Sequence, residues 1–216
     1  MENEEVLEII SYLFYNTDGW KKQTMWIGDF KDKSRNGLKY KDPNSIELMK
    51  KKKLIKIEKE VDWSDKGLVM VENIWTTYHY YLVSFNRKKL IEYLIDNTVL
   101  KWGELTIYPN GVFEFKDKKS NKFKFTSQAK RFVGYLMFLG KVSNKMFAEF
   151  YKLEINKRAG QTIEDRIRKI KFNAVKELKK YDFFSDYAEK MILPDRNYGY
   201  FLSDYSSIEI KPVTNV

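Results

Sequence analysis

The sequence contains no cysteine, one histidine and four prolines among 216 residues. Without cysteine, neither a disulfide nor a thiolate zinc site can form. His79 lies in a run of β-forming residues, TTYHYYLVSF, so we expect a strand residue rather than a metal ligand or general base. Acidic residues are scattered through predicted turns without a metal-loop pattern, as in Asp29, Asp32, Asp62 and Asp65. We therefore expect no enzyme, no catalytic residue, no metal site and no cofactor.

Long apolar runs are also missing. No stretch reaches the length of a membrane span, and the first residues, MENEEVLEII, lack the basic and apolar regions of a secretory signal. We expect no membrane partner and a cytoplasmic protein.

Positive charge is in excess. Lys and Arg number 40 against 30 Asp and Glu, a formal net charge of +10, and this balance favours a polyanionic partner such as nucleic acid. The alternative is that lysine only fills the surface. Hydrophobic residues make up 43% and aromatic residues 16%, which is enough for a folded core.

The most informative stretch is QTIEDRIRKIKFNAVKELKK, residues 161–180. Its aliphatic residues recur at helical spacing and predict one buried face, formed by Ile163, Ile167, Ile170, Ala174 and Leu178. Basic and polar residues lie on other faces, and Thr162 is a predicted N-cap. A short hairpin is predicted soon afterwards, around RNYGYFL at residues 196–202. A cationic helix followed by a hairpin is the arrangement with which a winged helix reads DNA.

Residues 1–96 predict a winged-helix-like α+β domain. Helices are expected over residues 4–14 and 44–52, strands over residues 54–57 and 68–85, and a closing helix over residues 87–94 after a capping Asn86. Residues 20–42 are mixed, with a short helix expected near Trp26. The second helix ends in a basic run that is a second candidate DNA contact, formed by Lys50, Lys51, Lys52 and Lys53. The alternative is a generic α+β domain in which this run is only a solvated helix end.

Residues 97–216 predict a second α+β domain, which begins with a three-stranded antiparallel sheet over residues 105–125. Helices follow over residues 127–139, with Thr126 as the predicted N-cap, and over residues 144–153 and 161–180. Strands surround the final turn. The closing DRNYGYFL is similar to the motif V-R-G-x-G-Y-x-L, and residues 101–202 resemble the DNA-binding output domain of OmpR/PhoB-type response regulators. Residues 1–96 show no βαβ alternation and hence no receiver domain.

The resemblance implies a winged helix whose third helix lies in the major groove of DNA. Arg166, Lys169 and Lys171 then face DNA, with Arg166 the candidate for reading guanine and Asn173 a candidate for an adenine edge. Gln161, Thr162 and Arg168 are expected near the phosphate backbone. The hairpin would add further DNA contacts from Arg196, Asn197 and Tyr198.

These inferences predict a sequence-specific double-stranded DNA-binding protein that regulates transcription, either as a homodimer or in contact with the transcription machinery. Two alternatives stay open. Tandem winged helices can bind iterated repeats, as in a replication initiator, and a winged helix can also serve as a protein-interaction module.

Overall fold

The computed structural model describes residues 2–18, 20, 22–28, 43–62, 69–71, 74–76, 79–115, 118–151, 162–179, 191–195, 199–203 and 208–212. The chain divides into two compact units, Met1–Leu94 and Ile95–Val216. Both are mixed α+β structures with small antiparallel sheets.

The helices of the described residues are α1 (Glu2–Tyr15), α2 (Pro43–Lys51), α3 (Arg87–Asn97), α4 (Ser127–Leu139), α5 (Asn144–Tyr151) and α6 (Ile163–Lys179). The strands are β1 (Lys22–Gly28), β2 (Ile55–Asp62), β3 (Val69–Val71), β4 (Ile74–Thr76), β5 (His79–Asn86), β6 (Thr98–Trp102), β7 (Leu105–Ile107), β8 (Val112–Phe115), β9 (Lys118–Lys124), β10 (Lys141–Ser143), β11 (Ile192–Asp195), β12 (Gly199–Leu202) and β13 (Ile208–Pro212).

The core of the first unit lies between helices and a three-stranded sheet in the order β1-β5-β2. Apolar side chains on one face of α1 are buried with residues of α2 and β5, including Ile10, Ile46 and Val83. Asn86 caps α3 as predicted, because its side-chain oxygen accepts a hydrogen bond of 2.9 Å from the backbone N–H of Lys88.

The prediction of a short helix near Trp26 is wrong, because this segment forms β1. All seven residues of β1 pair with β5, from Lys22 opposite Asn86 to Gly28 opposite Tyr80. Side chains alternate between the two faces of a strand, so Ile27 is buried whereas the neighbouring Trp26 is 48% exposed. Pairing along the whole of β1 therefore outweighs the weak helical pattern of the segment.

The sheet that opens the second unit has five strands, in the order β13-β6-β7-β8-β9, where the sequence predicted three. The three predicted strands correspond to β7, β8 and β9. β6 follows α3 directly, and its Thr98–Trp102 pairs with Ile208–Pro212 of β13. β13 is far from β6 in sequence, so no local pattern could predict its place in the sheet. β6, in contrast, is separated from β7 only by Gly103 and Glu104, and its omission from the prediction has no such reason.

The other half of the second unit is built from α4, α5, α6 and a small sheet in the order β10-β12-β11. Thr126 caps α4 by accepting a hydrogen bond of 3.2 Å from the backbone N–H of Ala129, as predicted. Both faces of α4 are covered, and even Lys130 is buried. Its Nζ donates to the carbonyl of Pro109 at 2.7 Å, and burial lowers the pKa of this ammonium group.

The two units share part of their order of elements, although, in the part of the chain that the structure describes, β3 and β4 of the first unit have no counterpart between β11 and β12. In the first, α1 precedes β1, α2 lies between β1 and β2, and β5 pairs between these two strands. In the second, α4 precedes β10, α5 and α6 lie between β10 and β11, and β12 pairs between these strands. In each unit, the last strand of the three-stranded sheet therefore lies at its centre. This strand is β5 in the first unit and β12 in the second.

Candidate nucleic-acid interface

The first turn of α6 is fixed by a reciprocal pair of hydrogen bonds. The Asp165 backbone N–H donates to Thr162 Oγ1 at 3.1 Å, and the Thr162 backbone N–H donates to Asp165 Oδ2 at 3.2 Å. The Thr162 hydroxyl also donates to Asp165 Oδ2 at 2.8 Å, and this bond is the main reason why the pKa of Asp165 lies below its usual value. The predicted N-cap is confirmed, and its hydroxyl proton is already used within the helix.

One face of α6 is buried against α4 and α5. The buried residues are Ile167, Ile170, Ala174, Val175 and Leu178. The predicted apolar face is thereby confirmed for four of its five residues, whereas Ile163 in the first turn is partly exposed. This burial determines which residues of α6 can meet a ligand.

The opposite side of α6 presents an exposed row that we call the α6 stripe. It consists of Asp165, Lys169, Phe172, Lys176 and Lys179, each of them exposed. These residues follow one another at spacings of three or four, which places them on one side of a helix. The stripe carries three lysines and one carboxylate, and Phe172 at its centre is 64% exposed.

The predicted DNA-contacting residues of α6 do not all lie on this stripe. Arg168, Lys169 and Asn173 are exposed, whereas Arg166 and Lys171 are half-buried. Because successive helical residues are rotated by about 100°, Arg166 and Lys171 point roughly 140° apart. Lys171 lies toward the hairpin, with its Nζ 5.5 Å from the centre of the Tyr200 ring. A single groove of DNA can therefore reach the exposed Lys169, but it cannot contact Arg166 and Lys171 equally well at the same time.

Three residues of the α6 stripe were not among the predicted DNA contacts: Phe172, Lys176 and Lys179. Counting forward from Lys169 at helical spacing would have found them. Arg168 Nη1, in contrast, lies 3.5 Å from Asp165 Oδ1, an exposed pair that contributes little to stability.

The hairpin β11–β12 is held against the helices by Tyr200. Its ring centre lies 5.8 Å from that of Phe132 on α4 and 6.3 Å from that of Phe147 on α5. Tyr200 thus packs on the helices of the second unit. Arg196, Asn197 and Tyr198, which connect the two strands, lie outside the described residues, as does Gln161 before α6.

The hairpin also approaches β10 closely at Gly199, where the backbone φ is 151°. A Cβ atom at this position would clash with the carbonyl oxygen of Val142 and lie 2.8 Å from Ser143 Cα. Lys141 on β10 forms an ion pair with Asp195 on β11, across β12. Glycine at position 199 is therefore needed for the backbone contact that joins the hairpin to β10.

The first unit contains a basic cleft of about 840 Å³ beside the end of α2. Its lysines are Lys22, Lys50, Lys53, Lys56 and Lys89. Of the predicted second DNA contact, Lys50 and Lys53 thus line the cleft. Lys51 is exposed in the last turn of α2, and Lys52 Nζ lies 5.5 Å from the centre of the Tyr93 ring.

Glu58 organises one wall of the basic cleft. It occupies an irregularity of β2, where the pairing with β5 shifts between Ile57 and Lys59. Its carboxylate accepts hydrogen bonds from Lys22 Nζ at 2.6 Å, Lys56 Nζ at 2.8 Å and the Ser84 hydroxyl at 2.7 Å. The bond from Lys22 contributes most to lowering the pKa of Glu58, which falls to about 2.

Lys53 has an unusual backbone for a non-glycine residue, with φ of 57°. Its N–H donates to the carbonyl of Lys50 at 2.9 Å, and the N–H of Leu54 donates to the carbonyl of Met49 at 2.9 Å. This left-handed helix end most often carries glycine. A lysine here adds a cation to the cleft at a cost in backbone strain.

Other kinds of site find no support among the described residues. They contain no group of three or more His, Cys, Asp or Glu side chains that could hold a metal ion. None of their helices is both long and apolar enough to span a membrane. Comparisons of the chain with protein-family models, with curated proteins and with solved structures find no match.

Proposed function

We propose that this protein binds double-stranded DNA in a sequence-specific manner and regulates transcription, with α6 as its recognition helix. The observation that carries the proposal is the α6 stripe, a row of three lysines around an exposed aromatic ring on the side of the helix opposite the core. A helix of this diameter fits the major groove of B-form DNA, where its basic side chains can reach the phosphates on either side.

The order of elements supports a winged helix for the second unit. Three helices, a short strand after the first of them and a terminal hairpin with the sheet order β10-β12-β11 provide the helical layer and the wing. Tyr200 fixes the hairpin to α4 and α5, so a wing would be held in a constant position beside α6. Strands β6–β9 precede these helices and form an antiparallel sheet, which agrees with a resemblance to the OmpR/PhoB-type output domain.

In the proposed complex, the residues of α6 have different tasks. Lys169 and Lys176 donate to phosphates and position the helix without reading the sequence. Asn173 is exposed and remains the candidate for an adenine edge. Arg168, exposed on the other flank of the stripe, is expected near the phosphate backbone. Arg166 is half-buried, so its predicted reading of guanine requires the groove to reach the border of the buried face.

A second DNA contact in the first unit is part of the proposal. Within the basic cleft, Lys22 and Lys56 are paired with Glu58 and Lys50 is paired with Glu47. Lys53 and Lys89 are therefore the lysines of this concave surface that we expect to contact a phosphate group. The same order of elements in this unit supports a second winged helix, with α2 next to the cleft. Two linked DNA-binding modules would raise the affinity through effective concentration.

The shared order of elements also favours one alternative function, a replication initiator that binds iterated repeats. Selection of binding sites from a random pool of DNA duplexes tests both functions. A regulator is expected to enrich one short motif or an inverted pair, whereas an initiator is expected to enrich directly repeated motifs. If no sequence is enriched and no duplex is bound even at low salt, the chain is instead a protein-interaction module.

A further inference from the structure

Phe172 is the least expected residue of the α6 stripe. It is 64% exposed in the middle of a regular helix, although the same helix has a fully formed apolar face on its other side. The aromatic ring is therefore not needed for the core of the second unit. Single exposed apolar side chains are common on protein surfaces, so the case for a binding site depends on the charged residues around this ring.

The surroundings of Phe172 indicate what kind of partner would cover it. Lys169 and Lys176 are three and four residues away on the helix, and Arg168 is four residues before it, so all three side chains are neighbours of the ring. A partner must therefore offer an apolar group surrounded by negative charge. The major groove of DNA has this composition where a thymine is present, because the C5-methyl group lies between two rows of phosphates.

We infer that Phe172 recognises a thymine through contact with its C5-methyl group. The inference rests on the proposed binding of duplex DNA by α6 and adds the base that the helix reads at its centre. Phe172 contributes specificity here because cytosine, the other pyrimidine, lacks the methyl group. The neighbouring lysines contribute affinity for any sequence.

The test uses the full chain and a duplex enriched by the wild-type protein from a random pool. Each thymine of the enriched motif is replaced in turn by deoxyuridine, which removes only the methyl group. At one position we expect the wild-type affinity to fall about fourfold, the ratio that corresponds to one methyl-sized apolar group returned to water. In Phe172→Ala the affinity for the unmodified duplex should fall, and the deoxyuridine at that position should have no further effect.

Two variants control the experiment. Phe172→Leu keeps an apolar side chain and should retain part of the sensitivity to the missing methyl group. Tyr15→Ala removes an aromatic side chain that is 59% exposed on α1 and should leave the sensitivity unchanged. Phe172→Ala is expected to fold, because the ring is exposed and alanine favours helix.

The possible results separate this inference from the proposed function. If the wild type binds the duplex but no deoxyuridine weakens binding, or if Phe172→Ala keeps the full sensitivity, the thymine contact is wrong and DNA binding stands. If the wild type binds no duplex at low salt, both proposals are wrong, and an acidic protein partner becomes the better explanation of the exposed ring.

Discussion

Replacement of Gly199 by alanine tests whether the hairpin is joined to β10 as the structure shows. The new Cβ would clash with the carbonyl oxygen of Val142 and lie 2.8 Å from Ser143 Cα, both in the backbone of β10. A side chain at φ of 151° costs about 1–3 kcal/mol in backbone strain. Crowding against a backbone that can move only by separating two strands adds about 1–3 kcal/mol. We therefore expect the free energy of unfolding to fall by at least ~2 kcal/mol.

Thermal unfolding followed by circular dichroism measures this effect. At roughly 3 °C per kcal/mol for a chain of this size, the midpoint should fall by at least ~6 °C. Gly103→Ala is the control. Gly103 lies in the turn between β6 and β7 with φ of 55°, and it measures the cost of a side chain in the ordinary left-handed region of the same unit. A midpoint for Gly199→Ala equal to that of the wild type would refute the close approach of the hairpin to β10.

Two further predictions concern the basic cleft. The pKa of Glu58 is lowered from 4.5 to about 2, so its stabilising bonds are present above pH 4.5 and are lost as the pH falls toward 2. Glu58→Gln should therefore lower the midpoint of urea unfolding at pH 7 but not near pH 2. If the midpoints of the variant and the wild type differ equally at both pH values, the stabilising role of the ionised Glu58 is wrong. Lys53→Gly should raise the free energy of unfolding by up to about 1 kcal/mol, because glycine adopts φ of 57° without strain, and should weaken DNA binding by removing a cation. Equal or tighter binding by this stable variant would exclude the cleft as a DNA contact.

Local patterns were enough to predict most helices and their caps. Thr126 and Thr162 each precede a segment with helical periodicity, and both accept the expected hydrogen bond from a backbone N–H in the first turn. The periodic aliphatic residues of α6, from Ile167 to Leu178, are buried because the same spacing that indicates a helix also places them on one face.

Contacts between distant parts of the chain were not predicted. β13 joins β6 although the two are far apart in sequence, and β1 is a strand because it pairs with β5. The basic cleft also depends on such contacts, since Lys22 and Lys89 reach it from elements on either side of Lys53 in the sequence. The common order of elements in the two units left no repeat in residue identity, because a fold requires a pattern of burial and not particular residues.

Phe172 shows a different limit of sequence analysis. An aromatic residue in a helix is ordinarily assigned to the core, since its burial contributes about 1.5–3 kcal/mol. Its exposure becomes evident only when the buried face of α6 is known from its packing against α4 and α5. Exceptions to the hydrophobic pattern of this kind are expected at binding sites.

The salt dependence of duplex binding tests the central claim most directly. The logarithm of the wild-type affinity for a random-sequence duplex should fall linearly with the logarithm of the salt concentration. The slope should be about −0.9 for each phosphate contact. The double variant Lys169→Gln/Lys176→Gln should reduce the slope by roughly 1.8, since it removes two proposed phosphate contacts. Lys101→Gln on β6, an exposed lysine on the five-stranded sheet, should leave the slope unchanged. Absence of binding at low salt, or equal slopes for the double variant and the Lys101 control, would contradict DNA binding through α6.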